Sequence, residues 1–259
     1  MGPSELVREF NRDRRNFVIL ALTVILLIGV YVVGPPVLPS VLILLVSTIA
    51  IDALATYALH RSLKVSKSGI VSGLILAMVL NVSPEFWYAG VFASAVAVLQ
   101  KHLLHVRGRH IFNPAAIGAL AAAAVFPTMA LQAWWAPAGL GALAMGLLGL
   151  VAVHRQRRFH LLLAFALVHA AVVAAAHGQG VVGHLLGLLQ SGTFWLFSTI
   201  ILIEPVTTPV SWNGRLAFGA LVGVLAYALT LHPATAPFSY LGAIAVSDLA
   251  VPLLNKYVR

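Results

Sequence analysis

Residues 101–116 read KHLLHVRGRHIFNPAA and connect the end of one apolar segment to the start of the next. Asn113 is typical of an N-cap, because its side-chain oxygen can accept a hydrogen bond from a free helical N–H, and Pro114 fits the first helical position. A helix start beside cations and imidazoles predicts an anion-binding pocket. The alternative is a loop that only obeys the charge rule for membrane topology. The cations and imidazoles are Lys101, Arg107, Arg109, His102, His105 and His110.

The composition of the 259-residue chain indicates an integral membrane protein. Hydrophobic residues make up 61% and charged residues only 9%, and the mean hydropathy is +0.98, whereas soluble domains carry about 25% charged residues. The net charge of +9 lies between apolar segments, which argues against a nucleic-acid-binding face. The absence of cysteine excludes disulfides, thiolate metal sites and ordinary iron–sulfur ligation. A redox role would therefore need an organic cofactor or a histidine-ligated metal.

Apolar segments separated by polar loops predict an all-α protein with about ten transmembrane helices. The first run is long for a signal-peptide core, so we interpret it as a retained anchor. The third segment has about 13 residues, too few for a bilayer that needs about 20, and the eighth is irregular and glycine-rich. The predicted spans are 17–33, 38–60, 68–80, 86–104, 113–126, 138–153, 161–176, 180–203, 216–231 and 238–254.

The positions of the basic residues predict the orientation. When loops are counted alternately from the N-terminus, all 16 Lys and Arg residues fall on one side of the membrane. The positive-inside rule assigns that side to the cytoplasm. We therefore expect a multi-pass protein of the cell membrane with both termini cytoplasmic.

An internal repeat predicts two inverted five-helix halves. Ser68-Gly69 recurs as Ser191-Gly192, and each pair precedes a short apolar segment and a proline-containing turn. Because five is odd, the second half would enter the membrane upside down, and inverted repeats with matching short helices favour a binding site at their interface. Chance resemblance among Gly- and Leu-rich helices is the alternative. The predicted units are a cytoplasmic tail at 1–16, a first repeat at 17–126, an extracytoplasmic linker at 127–137 with Trp134 and Trp135, and a second repeat at 138–259.

Three of the seven acidic residues, Asp52, Glu204 and Asp248, lie within or at the ends of apolar spans. A carboxylate in lipid is costly, and we expect no Lys or Arg within the spans to pair with these three. They are then protonated, bonded to backbone amides, or part of a cation or proton pathway. Glu204 opens EPVTTP, residues 204–209, where two prolines and two hydroxyls predict an unwound polar turn. For Asp52 and Asp248 a structural role is the alternative.

Two histidines within apolar surroundings, His169 and His184, are candidates for ligating a haem. A lone transmembrane histidine more often forms a hydrogen bond within the core. The two do not form a recognisable paired pattern, and the chain has no phosphate-binding glycine loop, metalloprotease helix or serine elbow. We therefore predict no metal site and no self-contained catalytic site.

Three motifs carry a resemblance to a known family. SGIVSGLILAM at 68–78, K-x8-H-x-F-N-P-A-A at 101–116, and EPVTTP followed by Gly214 and Arg215 resemble the RnfD/NqrB family. Members of that family are flavin-carrying membrane subunits of ion-pumping electron-transfer complexes, with ten helices in two inverted halves and short third and eighth helices. The resemblance extends from about residue 68 to 254.

The resemblance implies a bound flavin, either riboflavin or FMN, and a set of contact residues. The small residues of the first motif would let an aromatic ring approach the backbone, Lys101, Arg109 and His110 would meet a phosphate or the electron-rich edge of the ring, and the two threonines would supply hydroxyls. The implied contacts are Ser68, Gly69, Ser72, Gly73, Lys101, Arg109, His110, Phe112, Asn113, Pro114, Glu204, Pro205, Thr207 and Thr208. The candidate ion pathway is Asp52, Glu204 and Asp248.

The chain also departs from the family pattern. Members that bind FMN covalently do so through a threonine in a Ser-Gly-Ala-Thr-like motif, whereas the corresponding linker here offers only Thr128, so we expect a noncovalent flavin. Glu204 stands where aspartate is common in the family. The short chain also leads us to expect a protein without the soluble extensions and longer loops of the pump subunits. The expected partners are the lipid bilayer, other electron-transport subunits or a soluble flavin or iron–sulfur donor, and a second copy of the chain; nucleic acid is not expected.

The favoured function is a membrane redox carrier, as a subunit of an ion-translocating oxidoreductase. The alternative from another class is a transporter or channel for a small neutral or flavin-like solute. The family's fold resembles that of urea transporters, and LHPATAPF at 231–238 is similar to their L-P-x-T-x-P-F signature with an extra His232. A non-catalytic scaffold subunit is the third possibility.

Overall fold

The structure is a computed structural model that describes residues 3–106, 108–126 and 139–258. Within these ranges it is almost entirely α-helical, and the predicted helical membrane class is confirmed. The basic loop contains a short β-hairpin that was not predicted. Its two antiparallel strands, β1 (His105–Val106) and β2 (Arg109–His110), have two residues each. Arg107, Thr128, and the linker with Trp134 and Trp135 lie outside the described residues.

The helices before the linker include the predicted short third segment. The polar N-terminal tail contains a helix of its own, which was not predicted. The first apolar helix starts at Arg14, three residues before the predicted span. The elements are α1 (Pro3–Arg12), α2 (Arg14–Val33), α3 (Leu38–His60), α4 (Lys67–Val79), α5 (Trp87–Leu103) and α6 (Pro114–Val125).

After the linker, the described helices are more often interrupted. A π-helical turn, Phe197–Ile201, continues directly from α10. The elements are α7 (Leu140–Gln156), α8 (Phe159–His177), α9 (Val181–Leu189), α10 (Gly192–Leu196), α11 (Trp212–Ala228), α12 (Ser239–Asp248) and α13 (Val251–Tyr257).

Side-chain caps explain where several helices begin. Asp13, Ser66, Asn113 and Ser211 each accept a hydrogen bond from a backbone N–H in the first turn of α2, α4, α6 and α11. Such a bond satisfies one of the amides that a helix start leaves free. The predicted cap at Asn113 is confirmed. The cap of α4 is Ser66, two residues before the Ser68-Gly69 pair that defined the repeat.

The apolar helices identify a multi-pass membrane protein. Among the described residues, four helical stretches are long and apolar enough to cross a membrane, and there are up to six if each of two bent pairs is one span. Large apolar side chains point outward, including Leu27 (62% exposed), Leu143 (60%) and Leu167 (68%). Outward apolar surface on this scale is typical of contact with lipid. The four stretches are Arg14–Val33, Pro35–His60, Phe159–His177 and Trp212–Leu231.

Two of the predicted spans are broken. The eighth, expected to be irregular, consists of α9 and the segment from Gly192 to Ile201, bent by 67°. The tenth, expected to be continuous over 238–254, bends by 44° between α12 and α13. Pro252 explains this bend, because it lacks an N–H and its ring clashes with the carbonyl four residues earlier, at Asp248.

The packing places a short helix at the centre of the bundle. α2, α3 and α6 all pack on α4, and nine of the thirteen α4 residues are buried. On either side of the linker, α2 packs on α4, α3 on α5 and α5 on α6, while α7 packs on α10, α8 on α11 and α11 on α12. α2 also packs against α7 and joins these two sets.

Candidate functional site

A cavity of about 310 Å³ lies where α2, α4, α6 and α7 meet the turn that follows the π-helical segment. We call it the seam cavity. Its walls combine aliphatic side chains with hydroxyl, amide and carboxylate groups. The lining residues are Arg15, Val18, Ser68, Val71, Ser72, Ile75, Asn113, Pro114, Ala115, Gln156, Ile200, Glu204, Pro205 and Val206.

Three motifs that are far apart in the sequence meet in the seam cavity. The serine-glycine helix contributes two serines, the N-cap motif contributes Asn113 and Pro114, and the EPVTTP turn contributes Glu204 and Pro205. Ser68 and Ser72 lie four residues apart, so they share one face of α4. Six of the predicted contact residues therefore line one space.

The two glycines of the first motif face α3 instead of the cavity. A Cβ atom on Gly69 would lie 2.5 Å from Oδ2 of Asp52, and one on Gly73 would lie 3.1 Å from Cδ1 of Leu45. Such distances are closer than ordinary van der Waals contact. The glycines therefore allow α3 and α4 to pack closely, whereas the resemblance had assigned them to ring contact.

Asn113 links the start of α6 to the EPVTTP turn and to α12 through hydrogen bonds. Its Oδ1 accepts from the N–H of Ala116 at 3.0 Å and caps α6. Its Nδ2 donates to Oε2 of Glu204 at 2.7 Å, and its backbone N–H donates to Oδ2 of Asp248 at 2.8 Å. Two carboxylates from separate elements are thus held at the start of α6, where the positive end of the helix dipole favours negative charge.

A second cavity, of about 640 Å³, lies between the β-hairpin, the EPVTTP turn and α13. We call it the C-terminal cavity, and Arg109, His110 and Asp248 line it. Nε2 of His110 lies 3.7 Å from Oε1 of Glu204. Within the described part of the chain, Oδ1 of Asp248 is buried and has no hydrogen-bond partner. The hydrogen-bonded residues Glu204, Asn113 and Asp248 therefore lie between the two cavities.

Three arginines hold the EPVTTP turn, and we call Arg109, Arg158 and Arg215 the arginine cluster. Arg109 donates through Nη2 to the carbonyl of Pro205 and, at 3.1 Å, to that of Thr208. Arg158 donates through Nη1 to Oγ1 of Thr208 at 3.1 Å. Arg215 donates through Nε to the carbonyl of Pro209 at 2.9 Å. The basic loop and the turn are therefore in direct contact, as a shared site requires.

The surroundings of the cluster lower the pKa of its cations. Burial lowers the pKa of Arg109. The pKa of Arg158 is lowered to about 10. Burial is the largest cause, and repulsion from Arg215, Arg109 and Arg14 adds to it. Both guanidinium groups remain charged at neutral pH.

Asp52 has a cationic partner, which corrects the expectation that no basic residue could pair with it. Nζ of Lys101 lies 2.5 Å from Oδ1 of Asp52, and the side chains of Lys101 and Asp52 are 8% and 1% exposed. Nε2 of His102 lies 3.3 Å from the same oxygen, and the hydroxyl of Ser66 donates to Oδ2. Lys101 lies at the last turn of α5, so its side chain reaches back along the helix into the bundle. Asp52 and Lys101 line neither cavity.

The remaining predicted contacts are near the site but do not line either cavity. Oγ1 of Thr208 bonds to Arg158 and donates to the carbonyl of Glu204 at 2.9 Å. Thr207 is buried, and its hydroxyl has no partner among the described residues. The carbonyl of Phe112 accepts from Nε2 of Gln100 at 3.3 Å. These three residues shape the turns that border the cavities.

The two histidines considered as haem ligands both have other contacts. Nδ1 of His169 donates to the carbonyl of Gly223 at 3.0 Å. His184 stacks on His177, with ring centroids 4.5 Å apart. The described residues contain no group of three or more His, Cys, Asp or Glu side chains that could hold a metal ion.

Sequence reasoning missed Gln156, Arg15 and Arg158. Gln156 and Arg15 line the seam cavity, and Oε1 of Gln156 is buried there without a partner among the described residues. Arg15 and Gln156 lie at the ends of α2 and α7, where they look like ordinary boundary residues. A signal was available for Arg158, because it directly precedes an apolar helix in a run of basic residues.

The chain is similar in sequence to known membrane proteins. The model of the NQR2, RnfD, RnfE family matches residues 11–144. A relative from Stutzerimonas stutzeri, named as a component of the ion-translocating oxidoreductase complex, is 26% identical over 306 aligned residues, covering 89% of this chain and 86% of that protein. A protein with the same name from Haemophilus influenzae is 35% identical over 71 residues, which are 27% of this chain and 20% of that protein. The family match covers more than half of the chain, which therefore belongs to the NQR2, RnfD, RnfE family.

Proposed function

We propose that this protein is a membrane subunit of an ion-translocating electron-transfer complex and holds a flavin noncovalently in the seam cavity. The convergence of three distant motifs on that cavity carries the proposal. The name of the Stutzerimonas stutzeri relative supports membership of such a complex. The partners would then be other subunits of the complex within the bilayer.

The residues of the seam cavity suit a flavin ring, which is planar, apolar at one edge and rich in hydrogen-bonding groups at the other. Val18, Ile75 and Ile200 offer apolar surface, and Ser72 and Gln156 offer polar atoms. The volume of about 310 Å³ is at the lower end of the range of about 300–1,000 Å³ for small-molecule sites. A bound flavin would supply electron-transfer chemistry.

The chain's own groups would bind and tune such a ring electrostatically. Ser68 and Pro114 belong to the first turns of α4 and α6, so two helix N-termini border the cavity. Their positive dipole ends stabilise negative charge on a bound group. The carboxylate of Glu204 would instead disfavour negative charge on a bound group. Asn113 fixes the position of this carboxylate by donating a hydrogen bond to it. The apolar walls exclude water and strengthen these interactions.

We also propose ten membrane segments in two inverted halves, with both termini cytoplasmic. The matching packing on either side of the linker supports the repeat. In this arrangement the broken α9–α10 segment would correspond to the short α4. The segregation of Lys and Arg residues supports the orientation.

Coupling to a proton or another cation would use the carboxylates between the cavities. Glu204 and Asp248 are linked through Asn113, and Oδ1 of Asp248 is left without a partner among the described residues. An intramembrane carboxylate with a free oxygen next to a cavity is typical of an ion pathway. Asp52 lies apart from this route, because Lys101 neutralises it.

The test is a visible spectrum of the purified, detergent-solubilised protein before and after acid precipitation. We expect a flavin spectrum, with the flavin in the supernatant because it is not covalently bound. Ser72→Leu should occlude the cavity and lower the flavin-to-protein ratio several-fold, whereas Ser72→Ala leaves the space open and should retain most of it. A colourless protein whose melting temperature neither riboflavin nor FMN raises would contradict flavin binding. Uptake of a labelled neutral solute into liposomes without an electron donor would favour a transporter.

A further inference from the structure

The arginine cluster concentrates positive charge on one turn. Arg109, Arg158 and Arg215 come from the β-hairpin, the start of α8 and the start of α11, and all donate to oxygen atoms of residues 205–209. Arg158 is only 8% exposed. Within the described ranges, no carboxylate lies within 4.0 Å of a nitrogen of these arginines.

This arrangement is electrostatically incomplete. A guanidinium has five N–H donors and stays charged in proteins, and the hydrogen bonds to the turn use one nitrogen of each arginine. Carbonyl and hydroxyl oxygens offset part of the desolvation cost but carry no net negative charge. The lowered pKa of Arg158, caused by burial and by repulsion from neighbouring arginines, reports the same imbalance. An anion that binds here would offset both the desolvation of the guanidinium groups and the repulsion between them.

A histidine beside the cluster also has a ring nitrogen without a hydrogen-bond partner among the described residues. His160 stacks on Trp212, with ring centroids 3.9 Å apart and an interplanar angle of 20°. Its Nε2 is buried without a partner in the described part of the chain, and the residue is 9% exposed. Arg215 and Arg158 both act on His160 electrostatically. Trp212 is 59% exposed, and an exposed tryptophan at a helix end is typical of the membrane–water interface.

We propose that the arginine cluster, with His160 as a further donor, binds the phosphate group of an anionic phospholipid. Guanidinium groups match phosphate oxygens in charge and geometry, and basic pockets between membrane helices bind acidic headgroups. Trp212 marks the depth of a headgroup. The site is distinct from the seam cavity, because none of these residues lines that cavity, and it does not depend on a flavin.

The experiment measures thermal unfolding of the full chain in a neutral detergent after addition of phosphatidylglycerol, phosphatidylcholine or inorganic phosphate. We expect phosphatidylglycerol to raise the melting temperature by about 4 °C or more over phosphatidylcholine. Arg158→Gln combined with Arg215→Gln should remove at least half of that increment. The matched control is Arg12→Gln combined with Lys64→Gln, which removes two exposed charges elsewhere and should keep the full increment.

Comparing the three additives also identifies the source of the phosphate. A response to phosphatidylglycerol alone assigns the site to a lipid, and an equal response to inorganic phosphate assigns it to a free ion; both support a phosphate site. If the double variant does not fold, Arg215→Gln alone should lose part of the increment, and native mass spectrometry of the wild type should show retained phosphatidylglycerol. An identical increment in the wild type and the cluster variants, or no increment in the wild type, overturns the proposal.

Discussion

Gly69 and Asp52 show how one missing side chain decides a local arrangement. The α4 backbone at Gly69 lies against the Asp52 carboxylate, which also binds Ser66, Lys101 and His102. The carboxylate lies near the N-terminus of α4, where the helix dipole favours it. A buried ion pair costs desolvation, and removing one partner leaves the other charge uncompensated. We interpret this cluster as the contact that fixes the start of α4, and with it the serines that face the seam cavity.

Gly69→Ala tests this contact. The added Cβ would lie 2.5 Å from Oδ2 of Asp52, so we expect a loss of about 1–3 kcal/mol in the free energy of unfolding from overpacking. Thermal or denaturant unfolding measures it. Gly183→Ala is the control, because a Cβ there meets nothing within 4 Å, and alanine favours a helix. Equal stability of the two variants would show that the contact is not tight.

Asp13, which precedes the first apolar helix, makes a pH-dependent contribution to the free energy of unfolding. Hydrogen bonds from Arg15 and Lys67 lower the pKa of Asp13 well below its usual 3.8, against the opposing effect of burial. The unfolded state therefore binds the proton more tightly, so the contribution is fully present above the unfolded pKa and is lost as pH falls through the folded value. The stability advantage of the wild type over Asp13→Asn should be constant near neutral pH and shrink in acid. An advantage that grows in acid would contradict this assignment.

At the scale of elements, the ends of the short helices matter more than their lengths. α4 and α6 each start at a polar cap and each bring a first turn to the seam cavity. α12 ends where Pro252 interrupts the helix, and its last residue, Asp248, reaches the start of α6. Breaks in helices thus place carboxylates and free amides at one level of the bundle, which continuous spans would not do.

Asn113→Ala tests the role of the α6 cap. We expect a loss of about 1 kcal/mol from the missing cap and, under the proposed function, a lower flavin-to-protein ratio because Glu204 loses its donor. Ser191→Ala is the matched control: Ser191 caps α10 by accepting from the N–H of Phe194 at 3.3 Å but lines neither the seam cavity nor the C-terminal cavity. The Ser191→Ala variant should lose a similar free energy of unfolding but retain its flavin. Equal flavin content in both variants would show that Asn113 does not shape the site.

At the scale of the whole molecule, the proposed function depends on how the two halves are oriented. The seam cavity has walls from both sides of the linker, since α2, α4 and α6 precede it and α7 and the EPVTTP turn follow it. Inverted halves bring corresponding short helices to the same depth. The site therefore exists only when both halves are assembled.

Single cysteines can measure this orientation, because the 259-residue sequence contains none. Glu85→Cys and Ala234→Cys replace exposed loop residues that the ten-span topology places outside, so a membrane-impermeant maleimide should label them in intact cells. Lys64→Cys and Val210→Cys, also exposed, should be labelled only after the membrane is opened. Labelling of all four in intact cells, or of Glu85→Cys and Lys64→Cys alike, would contradict the inverted arrangement.

Composition, caps and motifs were sufficient to predict the membrane class, the short third segment, the irregular eighth segment, the Asn113 cap and the family. They also identified six of the residues that line the seam cavity. These features are predictable because a proline, a capping side chain or an apolar run acts through its own neighbours in the chain.

Which groups face each other became known only from the packing of the helices. Lys101 pairs with Asp52 across 49 positions of sequence, and the glycines of the first motif serve helix packing, because the rotation of α4 turns its serines to the cavity and its glycines to α3. The arginine cluster joins elements separated by about 50 and 99 positions. Such pairings depend on how helices are rotated and broken in three dimensions, which no local pattern specifies.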